Sequence, residues 1–213
     1  MPAPAIKICG ISTPGALEAA IRARAAYVGL NFFPKSPRFV SPRQAAELSK
    51  RAEGRVRRVG LFVDADDDAL AQFIAATQLD GLQLHGSESP ERTAQVRARF
   101  GLPVWKALSV ASADDVAHAH AYAGAADLIL FDAKTPKGAL PGGMGLSFDW
   151  SLVAQRKGAV AWGLAGGLTP ENVAEAVALT GAPLVDTSSG VESAPGIKDE
   201  GKIAAFCAAV QRA

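Results

Sequence analysis

Residues 159–172 read Ala-Val-Ala-Trp-Gly-Leu-Ala-Gly-Gly-Leu-Thr-Pro-Glu-Asn. The apolar run Ala159 to Leu164 suits a buried strand, and the paired glycines Gly166 and Gly167 allow a sharp turn after it. Thr169-Pro170 then has the form of a helix start: a hydroxyl cap accepts an orphan N–H, and proline at the first helical position has none to leave unpaired. The pattern recurs along the chain. Short β-rich runs begin near residues 6, 27, 56, 81, 104, 127, 159 and 183, each followed by a helix-like segment.

Thr13-Pro14, Ser41-Pro42 and Ser89-Pro90 repeat the cap, and Ser41 with Gln44 has the spacing of a capping box. The runs Tyr27 to Phe32, Val56 to Val63, Gly81 to His85, Val104 to Val110, Ala159 to Leu164 and Pro183 to Thr187 are largely apolar on both faces, as strands covered on two sides must be. No linker or change of composition interrupts them. Eight such units predict one α/β domain over residues 1–213, a (β/α)8 TIM barrel of parallel strands. The same alternation would feed an open doubly wound sheet. Its dinucleotide-binding form gains no support, because no Gly-x-Gly-x-x-Gly follows the first strand, and no P-loop is present.

The 213 residues carry a net charge of +1, with 49% hydrophobic and 20% charged residues, a soluble globular composition that argues against nucleic-acid binding. Residues 1–10 lack a signal-peptide pattern, and no apolar run approaches the ~18 residues of a membrane span, so a cytoplasmic protein with no membrane contact is expected. Cys9 and Cys207 stand at opposite ends of the chain, with no Cys-x-x-Cys knuckle. That usage fits a reducing compartment.

Cys9 closes the first strand run and Asp132 closes the sixth. Side chains alternate along a strand, so Lys7 and Cys9 share one face, and Leu128, Leu130 and Asp132 share another. With both faces inward, thiol and carboxyl meet over the C-terminal mouth, where such barrels do chemistry. An aspartate at its reference pKa of about 3.9 holds little proton at neutral pH, so an acid there should be partly buried. The thiolate, conversely, is the basic form of a cysteine. Lys7 is placed to favour it, and the same parity with barrel closure predicts an interior Lys7–Asp186 ion pair. A purely structural pair is the alternative.

Glycine-rich turns follow both the seventh strand (Gly166, Gly167) and the eighth (Ser188, Ser189, Gly190), the usual phosphate cradle of this fold. Simple chain reversal is the competing explanation. The long segment Ala133 to Ser147, with Gly142-Gly143-Met144-Gly145, has the length of a functional lid. His85 ends the fourth strand facing inward, but it is one histidine; His118 and His120, two apart on a predicted helix, do not share a face. No metal is expected. Trp105 and Trp162 are assigned to the core.

Lys7-Ile8-Cys9-Gly10-Ile11, Ser36-Pro37-Arg38, Val59-Gly60-Leu61-Phe62, Gln83-Leu84-His85-Gly86, Phe131-Asp132, Gly142-Gly143 before Phe148-Asp149-Trp150, Leu164-Ala165-Gly166-Gly167-Leu168, Ser188-Ser189-Gly190-Val191-Glu192 and Pro195-Gly196-Ile197-Lys198-Asp199 together resemble phosphoribosylanthranilate isomerase, across almost the whole chain. The resemblance implies a cofactor-independent Amadori rearrangement in tryptophan biosynthesis, with Cys9 as general base and Asp132 as general acid. It also implies that Arg38 holds the anthranilate carboxylate, a role that suits a planar guanidinium better than the ammonium of Lys35. The substrate-binding set it implies is Arg38, Gly143, Gly145, Gly166, Gly167, Asp186, Ser188, Ser189 and Gly190, with Lys7 and His85 in support. Met144 departs from the small polar residue that relatives often carry. The expected partner is a small phosphosugar, and the expected state is a monomer, with a homodimer as the alternative. A metal-dependent pentulose-phosphate epimerase would need converging histidines, and an indole-glycerol-phosphate-forming lyase a lysine and a glutamate at strand ends. A non-catalytic phospho-ligand sensor would not need Cys9 and Asp132.

Overall fold

The computed structural model describes residues 3–134, 142–143, 145–156, 158 and 160–213. The expected effect of Met144, and the lid residues Pro136, Lys137 and Pro141, lie outside them. Eight strands close into a barrel in chain order: β1 (Ala5–Cys9), β2 (Tyr27–Asn31), β3 (Arg57–Phe62), β4 (Gly81–Leu84), β5 (Val104–Val110), β6 (Leu128–Ala133), β7 (Trp162–Leu164) and β8 (Leu184–Thr187). Every adjacent pair is parallel, and β8 returns to β1 with Lys7 opposite Asp186. The expected (β/α)8 barrel is therefore the fold.

Alternation divides each strand between two cores. Alternate positions such as Ile8, Val28, Leu82 and Ile129 pack outward under the helices, in the larger apolar cluster. Inward positions form layers. Val59, Trp105, Ala107, Leu130, Ala165 and Leu184 fill the interior as an apolar plug. Tyr27 meets Trp105 edge-on with ring centroids 4.9 Å apart, so Trp105 is core as expected. Alongside this plug the interior turns polar, with Lys7, Gln83 and Asp186 all buried. Cys9, Asn31, His85 and Asp132 continue those inward faces to the C-terminal mouth.

The helices are α1 (Pro14–Arg22), α2 (Pro42–Ala52), α3 (Asp67–Ala76), α4 (Pro90–Phe100), α5 (Ala113–Ala117), α6 (Ser151–Ala154), α7 (Val173–Thr180) and α8 (Glu200–Arg212). Thr13, Ser41 and Ser89 cap α1, α2 and α4 through their side-chain oxygens, and Ser41 with Gln44 completes the capping box. Cys207 is buried in α8 beside Ile203, Phe206 and Val210. Among the described residues, no helix is long and apolar enough to cross a membrane.

Three expectations need correction. The seventh strand begins at Trp162 rather than Ala159, which lies outside the described residues; the ladder starts where Ala161 C=O accepts the Ile129 N–H. Thr169-Pro170 does not open α7. Thr169 gives its N–H to Asn172 Oδ1 (2.8 Å) and its hydroxyl accepts from Glu171 N–H (3.3 Å), while Asn172 Nδ2 donates to Gly167 C=O (2.9 Å). These bonds close the loop upon itself, and the helix waits until Val173. His118 and His120 sit in a 3-10 turn, His118–Tyr122, that continues α5.

Candidate active site

The C-terminal mouth holds an open cleft with about 790 Å³ of empty space, its entrance included. Cys9 and Asp132 both line it, one from each side of the barrel. Arg38, Gly143, Gly145 and Asp186 line it as well, with Gly166, Gly167, Ser188, Ser189 and Gly190. Every residue expected at the site from sequence is thus brought together, except Lys7, which is fully buried within the barrel.

Asp132 is 7% exposed. Its Oδ1 accepts the Ala133 N–H at 2.8 Å, and its Oδ2 lies 3.1 Å from His85 Nε2. His85 Nδ1 in turn lies 2.9 Å from Gln83 Nε2, so an amide N–H donated there puts the imidazole proton on Nε2, aimed at Asp132. Gln83 thereby fixes His85, and His85 one carboxylate oxygen. Among the described residues no three His, Cys, Asp or Glu side chains converge as metal ligands.

Lys7 Nζ donates to Asp186 Oδ2 at 2.9 Å, the pair foreseen from strand parity, with side-chain exposures of 0% and 7%. Burial opposes the ammonium, yet the Asp186 carboxylate and the Cys9 sulfur outweigh it and hold the Lys7 pKa above its ordinary value. For Cys9 the balance is reversed. Burial pushes the thiol up, Lys7 pulls it down, Asp186 adds to the rise, and burial prevails. Lys7 thus favours the thiolate as expected, but it moderates a raised pKa and does not produce a lowered one.

Arg38 departs furthest from expectation. It is no free carboxylate receptor: Nε and Nη2 both reach Glu192, at 2.7 Å each, and Nη2 also donates to Gly143 C=O at 3.0 Å. A guanidinium 7% exposed needs a counter-charge, and Glu192 supplies it. Nη1 is left without a partner among the described residues. The side chain lies between two glycines: a Cβ on Gly10 would stand 2.6 Å from its Cδ, and one on Gly143 would stand 2.5 Å from Nη1. Both glycines have positive φ, +77° and +67°.

Across the cleft, Gly166 and Gly167 turn with φ of +82° and +66°. A Cβ on Gly190 would overlap Leu168 C=O, so only glycine lets the two loops touch. The Ser188 hydroxyl donates to Cys9 C=O at 3.2 Å, tying the serine loop to the strand that carries the thiol.

Sequence reasoning assigned no role to Glu192, Lys198 or Gln83. The first two stand opposite each other in a hairpin, β9 (Glu192–Ala194) with β10 (Ile197–Lys198). Pro195-Gly196 was its available signal. Gln83 was legible by parity, two residues before His85 on one strand face.

The family profile for N-(5'phosphoribosyl)anthranilate (PRA) isomerase matches residues 6–209. An N-(5'-phosphoribosyl)anthranilate isomerase of Paramagnetospirillum magneticum is 57% identical over 207 residues, 97% of this chain and 96% of that protein. One from Cereibacter sphaeroides is 57% identical over 202 residues, 94% and 95% of the two chains. Among solved structures, phosphoribosyl anthranilate isomerase from Thermotoga maritima superposes with a TM-score of 0.86 at 34% identity, covering 99% of this chain and 100% of that one. Another, in complex with reduced 1-(o-carboxyphenylamino)-1-deoxyribulose 5-phosphate, has a TM-score of 0.84 at 33% identity with the same coverage. Sequence match over nearly the full length and superposition of the whole barrel agree: the chain belongs to the phosphoribosylanthranilate isomerase family.

Proposed function

We propose that this chain converts N-(5'-phosphoribosyl)anthranilate into 1-(2-carboxyphenylamino)-1-deoxyribulose 5-phosphate, as an aldose-ketose isomerase without a cofactor, in tryptophan biosynthesis. The observation that carries this reading is the placing of Cys9 and Asp132 on the wall of one cleft, between a glycine-serine rim suited to a phosphate and an arginine suited to a carboxylate. The solved relative that holds the reduced product supports the same ligand chemistry.

Asp132 gives a proton to the ribose ring oxygen as the C1'–O bond breaks and the anilino nitrogen lone pair forms a C1'=N Schiff base. The Cys9 thiolate then takes the C2' proton. Those C–H electrons form the C1'=C2' bond, and the nitrogen recovers its pair. The resulting enolamine ketonises: C1' gains a proton and O2' loses one, so no oxidant or reductant is needed. Gly166, Gly167, Ser188, Ser189 and Gly190 hold the phosphate, with Gly145 on the loop above. Arg38 Nη1 and the Gly143 segment receive the carboxylate, and Lys7, held by Asp186, and His85 support Cys9 and Asp132 from behind. A free Cys9 thiol suits a reducing compartment such as the cytoplasm. The large apolar side chains exposed among the described residues, Leu146, Leu179 and Ile197, lie on separate segments, which favours a monomer. Sedimentation checks that, since a Thermotoga maritima relative is described as dimeric.

Incubation of the purified protein with N-(5'-phosphoribosyl)anthranilate tests the activity, with rescue of a tryptophan auxotroph lacking this isomerase as the cellular counterpart. Soluble protein that neither forms product nor restores growth would refute it. The pH profile is a finer check. Turnover requires one proton shared by Cys9 and Asp132, since with none there is no acid and with two there is no base. Burial raises the thiol, so the last proton leaves only above the ordinary thiol pKa of about 8.5. The expected kcat/KM holds through neutrality and falls on the alkaline side above about pH 8.5; a basic limb near pH 7 contradicts it. Gly10→Ala and Gly143→Ala each displace Arg38, and each is expected to raise KM about tenfold or more with a smaller effect on kcat.

A further inference from the structure

Glu192 is the hub of a buried charge cluster behind the cleft, and its grip on Arg38 is explained by neither proton transfer nor phosphate binding. Its Oε1 accepts from Arg38 Nε and from Lys198 Nζ, both at 2.7 Å, and its Oε2 accepts from Arg38 Nη2 at 2.7 Å and Gly196 N–H at 3.2 Å. Side-chain exposures are 8% for Arg38, 4% for Glu192 and 1% for Lys198. Burial works against the Lys198 ammonium and Glu192 works for it; with Lys198 protonated, two cations share one carboxylate and one positive charge is in excess where water is scarce. Lys7 contributes nothing to that excess, being matched by Asp186. An unmatched buried charge is costly until an anion reaches it.

The hairpin that carries the cluster is fixed at several points. Gly196 has φ +82°, which fits the third position of a type II turn after Pro195. A Cβ there would stand 2.5 Å from Pro37 C=O, so the turn sits directly against the residue before Arg38. Lys202 Nζ donates to Glu192 C=O at 2.8 Å, and Lys198 Nζ donates to Ser188 C=O at 2.8 Å, tying the hairpin to α8 and to the serine loop.

We propose that Glu192 and Lys198 are positioning residues that make the site selective for an aromatic amine bearing a carboxylate: Glu192 grips one edge of Arg38 so that Nη1 faces the cleft, and Lys198 keeps the cluster one positive charge in excess. This rests on Arg38 being the carboxylate's partner. A hairpin that merely braces the barrel predicts no such selectivity.

Two ligands separate the possibilities: reduced 1-(2-carboxyphenylamino)-1-deoxyribulose 5-phosphate and its counterpart without the ring carboxylate. The unaltered protein should bind the first about 10- to 100-fold more tightly, as expected for a charge-assisted contact. Glu192→Gln adds to the positive excess but frees the guanidinium edge, and because the loss of orientation dominates a directional contact, it should reduce that preference about threefold or more while leaving affinity for the second within about threefold. Lys198→Met removes the excess charge and should lower the preference about tenfold. Glu192→Asp keeps the charge but draws the guanidinium back by one methylene, and should fall between the unaltered protein and Glu192→Gln. An undiminished preference in these variants, or an equal loss for both ligands, overturns the proposal. If Glu192→Gln fails to fold, Glu192→Asp and Lys198→Met decide by the same criterion. If the unaltered protein shows no preference, the assignment of Arg38 falls, and this proposal with it.

Discussion

Asp132→Asn is expected to lower kcat by a factor of about 10² to 10⁴, with KM held within a few-fold. The amide is nearly isosteric, so it can keep the bond from Ala133 N–H to Oδ1, yet it has no acidic proton for the ring oxygen. Its NH2 would also face His85 Nε2 at the position Oδ2 now holds, 3.1 Å away. Cys9→Ala removes the other half of the pair and should cost a similar factor. Ring opening without C2' deprotonation, or the reverse, yields no product, so the double variant should be little worse than the poorer single one. Multiplicative losses would contradict this order of events and show that both groups act independently in one shared rate-limiting step.

Lys7→Met is expected to destabilise the fold by about 3–5 kcal/mol, read as a lowered Tm, because it leaves Asp186 buried without its cation. Asp186 is 6% exposed and, among the described residues, its Oδ1 has no hydrogen-bond partner, so Lys7 is the one side chain paired with its charge there. Lys7→Met combined with Asp186→Leu should recover most of that loss, since an apolar pair fills the space without a charge. Recovery of stability need not restore activity. Lys7 lowers the Cys9 pKa more strongly than Asp186 raises it, so removing both lifts the thiol further. The double variant should then be slower at neutral pH, with its basic limb moved to higher pH. Full activity and an unmoved limb would reduce the ion pair to a structural role.

The barrel and its chemistry were legible in the chain to unequal degrees. Strand parity was enough to place Lys7 opposite Asp186 and to bring Cys9 and Asp132 to one mouth, because alternation and closure of parallel strands leave little choice. Hydroxyl-proline pairs marked three helix starts correctly. The fourth, Thr169-Pro170, misled because Asn172 draws Thr169 and Gly167 into a closed loop, a competition between side chain and backbone that spacing does not display. The start of β7 was equally silent, since Ala-Val-Ala is as apolar before the ladder as within it. Arg38 lines the cleft, but nothing in its local sequence shows that one edge of its guanidinium is occupied. Its partner Glu192 lies 154 positions away on a two-strand hairpin, and only the folded turn at Pro195-Gly196 brings them together.

The account depends on Cys9 and Asp132 reaching one ribose, and a crystal structure of this chain with the reduced product bound measures that directly. The phosphate should lie against Gly166, Gly167 and Ser189, with Cys9 Sγ within about 3.5 Å of C2' and an Asp132 oxygen within about 3.2 Å of the 4'-oxygen. A ligand seated with its phosphate at Arg38, or with either atom out of reach of the sugar, would contradict it.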